Sequence, residues 1–466
     1  MADEKRNDND EGDGGSFVSL IVSGCFVAVW LCLWALNRAS PGGFWALPAT
    51  LAQVAVVSVF IWQVCDPFAD AAQWVGQRFR LPGSVRGATL DAVASSLPEL
   101  FSGIIFVVFA VSAATAGTDG ATAESREAIA HAGAEGYGST IATCAGSAVY
   151  NMILIPAFCA LVISFARPER PTIDVDDEVI ARDGVWFLMT QILLILFLFQ
   201  DEMVWWMAIS LLALYGVYIG QLAFDARQYR RRMDFLAGYL TGENADARVQ
   251  DVVDAGRAEG LRIPPTLVMT VQRESSFSND EDDDNVDSAG VFFGYFDVPL
   301  NGLTSSAVLV VATALVGIAC YFLVDATVET AEILQVPQFF VAVILAAAAS
   351  SVPDTFLAIA AARRGDDSGA VSNAFGSNIF DICICLSIPL LINSWLTGWT
   401  PVSLMQNGEP IPGIVGLRIL LVVLTVVNLA IMWHNRQITR RKALIMCGLY
   451  VFFVAYAVLG SLGILV

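Results

Sequence analysis

The sequence predicts an all-α integral membrane protein, built from two inverted five-helix repeats plus one extra N-terminal transmembrane helix. Three observations predict this fold: an apolar composition, a signature that occurs twice, and an uneven distribution of arginines between the loops. Hydrophobic residues make up 56% of the 466 residues, and the mean hydropathy is +0.63. One soluble core does not need so much apolar sequence, so we expect the chain to lie in a bilayer.

Eleven segments are apolar and long enough to cross a bilayer. They lie at roughly residues 17–36, 44–65, 86–112, 137–166, 184–200, 203–223, 304–324, 336–362, 370–395, 413–433 and 443–466. We divide the chain into an acidic tail with an extra transmembrane helix, a first repeat, a cytoplasmic acidic loop and a second repeat, at residues 1–43, 44–223, 224–303 and 304–466. A cleaved signal peptide is the alternative for the first span. That span is long for a signal peptide, and acidic residues precede it where a signal peptide is basic.

The duplicated signature consists of two short blocks that carry acidic residues into apolar spans. Residues 94–99 read ASSLPE and residues 146–151 read GSAVYN. Residues 349–354 read ASSVPD, 255 positions after the first block, and residues 376–381 read GSNIFD, 230 positions after the second. An ionisable group inside a span indicates a functional site. Duplication of a whole group of spans is typical of secondary transporters.

The arginines predict the orientation of the chain. If residues 224–303 are cytoplasmic, the outer loops hold only Arg38 and Arg126, and all other basic loop residues lie inside. The inner loops hold Arg78, Arg80, Arg86, Arg167, Arg170, Arg182, Arg363, Arg364, Arg436, Arg440, Arg441 and Lys442. This distribution follows the positive-inside rule, with the N-terminus inside and the C-terminus outside. The two copies of the first block are five spans apart, so they cross the membrane in opposite directions and the repeat is inverted.

The residue types in the blocks are suited to binding hard cations. In a helix, two serines lie three and four residues before each first-block acid, so their hydroxyls share its face. The proline before each acid leaves the carbonyl of Ala94 or Ala349 without its helical partner and is expected to kink the helix. The candidate ligands are Glu99, Asp354, Asp381, Asn151, Ser95, Ser96, Ser350, Ser351, Ser147 and Ser377. Calcium binds six to eight such oxygens and sodium accepts similar ones, so one cavity can hold either ion.

Helix packing, a structural acid, a protease and a channel are the alternatives to a cation-exchange site. A proline kink beside a small serine often serves helix packing, and a single buried acid can be a satisfied structural group. Two copies with matched acids, serines and prolines favour a cation site. An intramembrane aspartyl protease also needs two acids, but it gives no reason for the mirrored serines and prolines. A cation channel arranges its acids as a ring.

At these blocks the chain resembles the sodium/calcium exchangers of the cation/Ca2+ antiporter superfamily. Their inverted repeats carry G-[TS]-S-x-P-[ED] and G-S-[NA]-x-x-[ND], and the resemblance covers nearly the whole chain from about residue 44. It implies an antiporter in the cell (plasma or inner) membrane, not an enzyme, that exchanges Ca2+ for Na+ by alternating access without a cofactor. It also implies that Glu99 and Asp354 are the central calcium ligands, and that the other candidate residues complete the cation sites.

The counter-ion is left open by the sequence. Ala94 and Ala349 replace the usual glycine of the family, which can alter sodium affinity. The pair Ser372-Asn373, and Phe380 with Asp381, resemble the potassium-dependent subgroup. Proton-coupled calcium exchangers usually carry a G-N-x-x-E block, which is replaced here by the serine-rich block. Potassium dependence and proton coupling therefore stay as alternatives.

The acidic run, the basic cluster and the cysteines are expected to have structural roles. The acidic run at residues 280–284 lacks the spacing of a calcium-binding loop and is expected to be a solvated linker. The basic cluster at residues 230–232 indicates topology or contact with lipid headgroups rather than nucleic acid. The expected partners are thus the bilayer and the transported ions, with the oligomeric state open. All nine cysteines fall in apolar spans and show no disulfide or metal-binding pattern.

Overall fold

The protein is described by a computed structural model over residues 11–40, 43–116, 122–167, 170–175, 179–240, 247–265, 267–269, 271–272, 288–291, 294–406, 409–411 and 413–462. Within these residues, ten helices are long and apolar enough to cross a membrane. Five precede the segment at 224–303 or begin before it, and five follow it. This agrees with the predicted fold of two inverted five-helix repeats.

The first half consists of the N-terminal helix and the helices of the first repeat. They are α1 (Glu11–Ala39), α2 (Ala46–Arg78), α3 (Gly83–Arg86), a π-helical turn (Gly87–Asp91), α4 (Ala92–Ala116), α5 (Ala123–Ala166), a second π-helical turn (Val179–Gly184), α6 (Val185–Leu198) and α7 (Trp205–Tyr239). The short α3, the first π-helical turn and α4 together form one membrane span.

The second half begins after a short helix in the segment at 224–303, α8 (Val249–Ala258). Its helices are α9 (Gly302–Leu334), α10 (Gln338–Val341), a π-helical turn (Ala342–Ala346), α11 (Ala347–Ser350), α12 (Val352–Arg363), α13 (Asp367–Phe380), a π-helical turn (Asp381–Cys385), α14 (Ser387–Leu396), α15 (Ile414–Trp433) and α16 (Arg440–Ser461). Helices α10 to α12 form one span, and α13 and α14 form the next.

The two halves share one local departure from α-helix, a π-helical turn before the first signature block. The π-helical turns at Gly87–Asp91 and Ala342–Ala346 are 255 positions apart, which is the offset of the first signature block. Single π-helical turns inside α-helices are frequent at functional sites. Each of these turns lies just before the serines of its block. It therefore sets the direction in which the side chains of those serines point from the helix.

The extra N-terminal helix is present as α1 and packs against α2. Its apolar part, Ser23–Ala39, is shorter than the apolar windows of the ten helices counted above. Of the acidic residues that precede it, Asp3, Glu4, Asp8 and Asp10 lie outside the described residues.

Four pairs of short antiparallel strands join loops of the molecule. They are β1 (Ile173–Asp174) with β8 (Gln437–Ile438), β2 (Glu202–Met203) with β5 (Val402–Ser403), β3 (Ser288–Val291) with β4 (Phe296–Pro299), and β6 (Met405–Gln406) with β7 (Glu409–Pro410). The first pair joins two loops that the arginines assign to the inside, and the second joins two outer loops. The pairings therefore agree with the predicted sidedness.

The segment at 224–303 contains more structure than a solvated linker. The last turns of α7, helix α8 and the residues after it share a small apolar cluster that includes Leu236, Val252 and Ile263. Strand β3 docks on the inner end of α2, where the amide of Gly290 donates to Asp70 Oδ2 at 3.2 Å. The acidic run at 280–284 lies outside the described residues.

Helix α5 begins well before the span expected from hydropathy. It starts at Ala123 and continues for 44 residues, whereas hydropathy placed the span at about 137–166. Its first turns are polar but rich in alanine and glutamate, which are good helix formers. Thr122 caps it by accepting from the amide of Ser125 at 3.1 Å. Hydropathy detects the apolar part of a helix, and so it missed this polar extension.

Candidate cation site

Four membrane spans bring the predicted ligands together at the centre of the molecule. Helices α4 and α12 carry the first-block acids, while α5 and α13 carry the second blocks. All ten predicted residues are fully buried, with 0% of their surface exposed: Ser95, Ser96, Glu99, Ser147, Asn151, Ser350, Ser351, Asp354, Ser377 and Asp381. Burial of three acids at membrane depth is costly without compensating partners.

One side of the cluster is organised around the hydroxyl of Ser147. Its Oγ lies 3.0 Å from Glu99 Oε1 and 3.0 Å from Asp381 Oδ2. It also lies 2.9 Å from the hydroxyl of Ser351, which itself donates to Glu99 Oε1 at 3.2 Å. Because both carboxylates contact the same hydroxyl, their contacting oxygens are at most about 6 Å apart.

The other side is organised around Asp354. Ser377 donates its hydroxyl to Asp354 Oδ1 at 2.7 Å, and Asn151 donates its amide to Oδ2 at 3.2 Å. The hydroxyl of Ser95 lies 3.3 Å from that of Ser377. Asn151 also donates to Ser147 Oγ at 3.3 Å, which connects the two sides. Eight of the predicted residues therefore form one hydrogen-bonded cluster that draws on both repeats.

The two other predicted serines have different surroundings. Ser350 donates to the carbonyl of Ala347 in its own helix at 3.2 Å, and its hydroxyl also lies near the Glu99 carboxyl group. The Ser96 hydroxyl is buried near the Asp381 carboxyl group, without a hydrogen bond of good geometry among the described residues.

Several cluster oxygens have lone pairs without a partner. Besides Ser96 Oγ, neither Glu99 Oε2 nor Asn151 Oδ1 has a hydrogen-bond partner in the described part of the chain. A buried polar atom without a partner costs about 1–3 kcal/mol. Among the described residues, no three Asp, Glu, His or Cys side chains are close enough to hold a metal by themselves. A cation here would need serine and asparagine oxygens as well as the carboxylates.

The repeat symmetry is obeyed by some contacts and broken by others. Glu99 with Ser147 and Asp354 with Ser377 are equivalent pairs, since each joins the acid of a first block to the serine of the next block. The symmetry is broken at Asn151, whose equivalent in the second repeat is Asp381. The cluster therefore has a third acid on one side and an amide on the other.

The signature prolines affect the two helices differently. In the second repeat the helix stops at Ser350 and restarts at Val352, one residue before Pro353. In the first repeat α4 runs through Pro98, and the thiol of Cys65 lies 3.8 Å from the Ala94 carbonyl. A carbonyl that proline deprives of its helical donor thus has a sulfur neighbour.

Sequence reasoning missed this role of the cysteines. Cys320, 255 positions after Cys65, lies 3.4 Å from the carbonyl of Pro98. Both thiols therefore reach the backbone of α4 around the same proline. Their equal offset from the signature was visible in the sequence and could have marked them as part of the repeat.

The glycines of the second blocks permit close contact between the repeats. A Cβ atom on Gly376 would lie 2.6 Å from Ala88 Cα, and one on Gly146 would overlap the carbonyl oxygen of Val343. Ala88 and Val343 are equivalent residues of the two π-helical turns. Each glycine therefore lets the helix that carries the second block press against the turn that precedes the other repeat's serines.

Ion pairs hold the inner end of the site together. Arg86 Nη2 lies 3.0 Å from Asp366 Oδ2, and Arg167 Nη2 lies 2.6 Å from Asp367 Oδ1. Asp366 also caps α13 by accepting from the amide of Gly369 at 2.7 Å. These pairs fasten the connection between α12 and α13 to the first repeat.

Comparison with known proteins places the chain in a family. The sequence profile described as "Sodium/calcium exchanger protein" matches residues 49–223 and 304–459. The chain belongs to the sodium/calcium exchanger family. This family membership makes it a transporter rather than an enzyme, and its ten apolar helices make it a multi-pass integral membrane protein.

Individual members of the family and solved structures are also similar. Sodium/potassium/calcium exchanger 5 of Homo sapiens is 24% identical over 441 residues, covering 86% of this chain and 81% of the relative. Sodium/potassium/calcium exchanger 2 of Gallus gallus is 20% identical over 521 residues, covering 85% and 75%. The crystal structure of the H+/Ca2+ exchanger CAX covers 96% of this chain and 93% of its own, with a TM-score of 0.54 and 14% identity. At that identity, the structural likeness concerns the fold.

Proposed function

We propose that this exchanger moves Ca2+ in one direction and Na+ in the other across the cell membrane, by alternating access to the buried cluster. The observation that carries this proposal is the mirrored arrangement of Glu99 with Ser147 and Asp354 with Ser377. Two acids from opposite repeats, each supported by its own serine, meet at 0% exposure in a membrane protein. Such a site is suited to a cation that enters and leaves with its water removed.

Calcium is favoured by the number and charge of the oxygens. Glu99, Asp354 and Asp381 supply carboxylates, and the serine and asparagine side chains add neutral oxygens. Calcium binds six to eight oxygens at about 2.3–2.6 Å and tolerates irregular geometry. The cluster offers that number only when both repeats contribute, so a movement that separates the repeats would also release the ion.

Sodium is favoured by the neutral part of the cluster. Serine hydroxyls and the Asn151 carbonyl oxygen can bind an alkali ion without adding charge. Several sodium ions can then occupy the oxygens that one calcium ion vacates, with the acids balancing their charge. Inverted repeats meeting at such a site provide the symmetry for opening it to either side in turn.

Potassium is a second candidate ion because of the relatives' names. Two relatives that span most of this chain are sodium/potassium/calcium exchangers. We therefore include potassium as an ion that this chain can transport together with calcium.

The test is calcium uptake into liposomes that contain the purified protein. Liposomes are loaded with sodium and diluted into radioactive calcium, with sodium, potassium and pH gradients imposed one at a time. We expect uptake to require an outward sodium gradient, and potassium outside the liposomes to raise it if potassium is co-transported. Protein carrying Glu99→Gln, reconstituted in parallel, measures the leak.

Three results would contradict the proposal. Uptake that follows a pH gradient and ignores sodium would indicate proton coupling. Calcium flux that is indifferent to every counter-ion would indicate a channel. Uptake equal to the Glu99→Gln leak under all gradients would exclude calcium exchange.

A further inference from the structure

Asn373 is a buried polar side chain at the site that the signature blocks do not include. It is 2% exposed, and neither its Oδ1 nor its Nδ2 makes a hydrogen bond of good geometry among the described residues. It lies on α13 one helical turn before Ser377, so the two side chains share a face. Its side chain lies beside the carboxyl group of Asp354.

The backbone around Asn373 is held firmly in place. The neighbouring Ser372 donates its hydroxyl to Asp183 Oδ2 at 2.9 Å, and Asp183 pairs with Arg182 at 2.7 Å. On another side of α13, a Cβ atom on Gly87 would lie 3.4 Å from the backbone nitrogen of Asn373, which shows how closely the first repeat packs against this helix. Rotation of the helix is therefore not available to give Asn373 a partner.

The equivalent position of the first repeat is satisfied within its own helix. There Thr143 donates to the carbonyl of Ser139 at 3.0 Å. Thr143 needs nothing further, whereas no donor reaches Asn373 Oδ1, and the Asn373 amide meets only the Asp354 carboxyl group. A buried amide oxygen without a donor is unfavourable. The two repeats thus differ at this position, and the difference lies beside Asp354.

We propose that Asn373 Oδ1 is a ligand of an alkali-cation subsite on the Asp354 side of the cluster. This inference rests on the proposed exchange function and deepens it. The amide oxygen adds a hard ligand without adding charge, which suits a monovalent ion beside a single carboxylate. Calcium, which needs more negative charge, has its central ligands between Glu99 and Asp354. Asn373 then affects the alkali ion and leaves calcium binding largely unchanged.

The test compares Asn373→Leu with the matched control Thr143→Val. Both substitutions remove the polar group and keep the branching and the number of side-chain heavy atoms, at equivalent positions of the repeats. Purified proteins are titrated with sodium or potassium, and with calcium, while their unfolding temperature is recorded. This measurement reports binding to the folded state and does not depend on transport.

We expect Asn373→Leu to weaken apparent alkali-cation affinity by about tenfold, which corresponds to roughly 1.4 kcal/mol. Calcium affinity should change less than about twofold, and the unfolding temperature without ions should not fall, because an unpaired buried amide has been removed. Thr143→Val should leave alkali-cation affinity unchanged. If Asn373→Leu does not fold, Asn373→Ser takes its place, with the expectation of a smaller loss confined to the alkali cation.

The inference is overturned if Asn373→Leu or its replacement binds sodium and potassium like the wild type. It is also overturned if calcium and alkali affinities fall together, because that pattern belongs to a structural residue. Failure of the exchange proposal looks different. There, wild-type liposomes show no cation-driven calcium uptake, whatever residue is present at position 373.

Discussion

A single serine hydroxyl joins two carboxyl groups in this site. Ser147 Oγ is 3.0 Å from both Glu99 Oε1 and Asp381 Oδ2. A hydroxyl has one proton to donate and can accept from others, so it cannot donate to both carboxylates at once. Two carboxylates about 6 Å apart also repel by roughly 3 kcal/mol at an effective dielectric constant near 20. One of the two acids is therefore expected to carry a proton.

Asp381 is the acid that we expect to be protonated. Its equivalent in the first repeat is the neutral Asn151, whereas Glu99 and Asp354 are equivalent to each other. We predict that Glu99→Gln and Asp354→Asn each abolish calcium exchange. Asp381→Asn should keep measurable calcium binding and mainly impair coupling to sodium or potassium. Equilibrium calcium binding to the three purified variants, beside the uptake assay, measures the difference.

The control for this ranking is the fold of each variant, because a buried acid can also be structural. Each amide variant should elute as a single species and unfold cooperatively before its binding is compared. Equal loss of calcium binding in all three folded variants would contradict the ranking of the acids.

At the scale of elements, the site depends on how closely helices of opposite repeats approach. The π-helical turns at Gly87–Asp91 and Ala342–Ala346 face the glycines of the second blocks. A π-helical turn widens the helix locally, and glycine removes the side chain that would hold the neighbouring helix away. The serines next to these glycines are thereby brought to the acids of the cluster.

We predict that Gly376→Ala destabilises the protein by about 1–3 kcal/mol, the range of overpacked cores. Its Cβ atom would lie 2.6 Å from Ala88 Cα, so the two helices must separate. The unfolding temperature of the purified protein should fall, and calcium exchange should be lost. The matched control is Gly220→Ala on α7, where a Cβ atom meets nothing within 4 Å.

The control should be neutral or stabilising, since alanine is favoured over glycine in a helix by about 1 kcal/mol. An equal effect of the two substitutions would show that the contact of Gly376 with the π-helical turn does not matter.

The elements also show how far sequence reasoning reaches. Hydropathy located the ten membrane helices of the described residues, because bilayer thickness fixes the length of an apolar span. Hydropathy did not predict the π-helical turns, because these depend on packing against the other repeat. The prolines predicted a kink in both helices; the second repeat has a break at Ser351, whereas α4 runs through Pro98. Sequence reasoning grouped Ser350 and Ser351 by helical spacing, and both serines lie near Glu99, although Ser350 also donates to the backbone of its own helix.

At the scale of the whole molecule, the two halves are antiparallel copies that share one site. Helices α2 and α9 pack together and run in opposite directions, with Thr50 and Thr330 in contact at one end. At the other end, Asp70 accepts from the amide of Gly290 in strand β3. Equivalent helices are five spans apart, and an odd offset reverses the direction of crossing, so the inversion could be predicted from sequence alone.

The inversion makes a prediction about which side of the membrane each connection faces. Arg126, near the start of α5, and Arg363, at the end of α12, are both exposed. Cysteine introduced at Arg126 should react with a membrane-impermeant maleimide added to intact cells. Cysteine at Arg363 should react only in inside-out vesicles, because α12 runs oppositely to α4, whose end leads toward Arg126. Wild-type protein, whose nine cysteines lie in apolar spans, measures background labelling from either side. Labelling of both introduced cysteines from the same side would contradict the inverted arrangement and, with it, alternating access through the shared cluster.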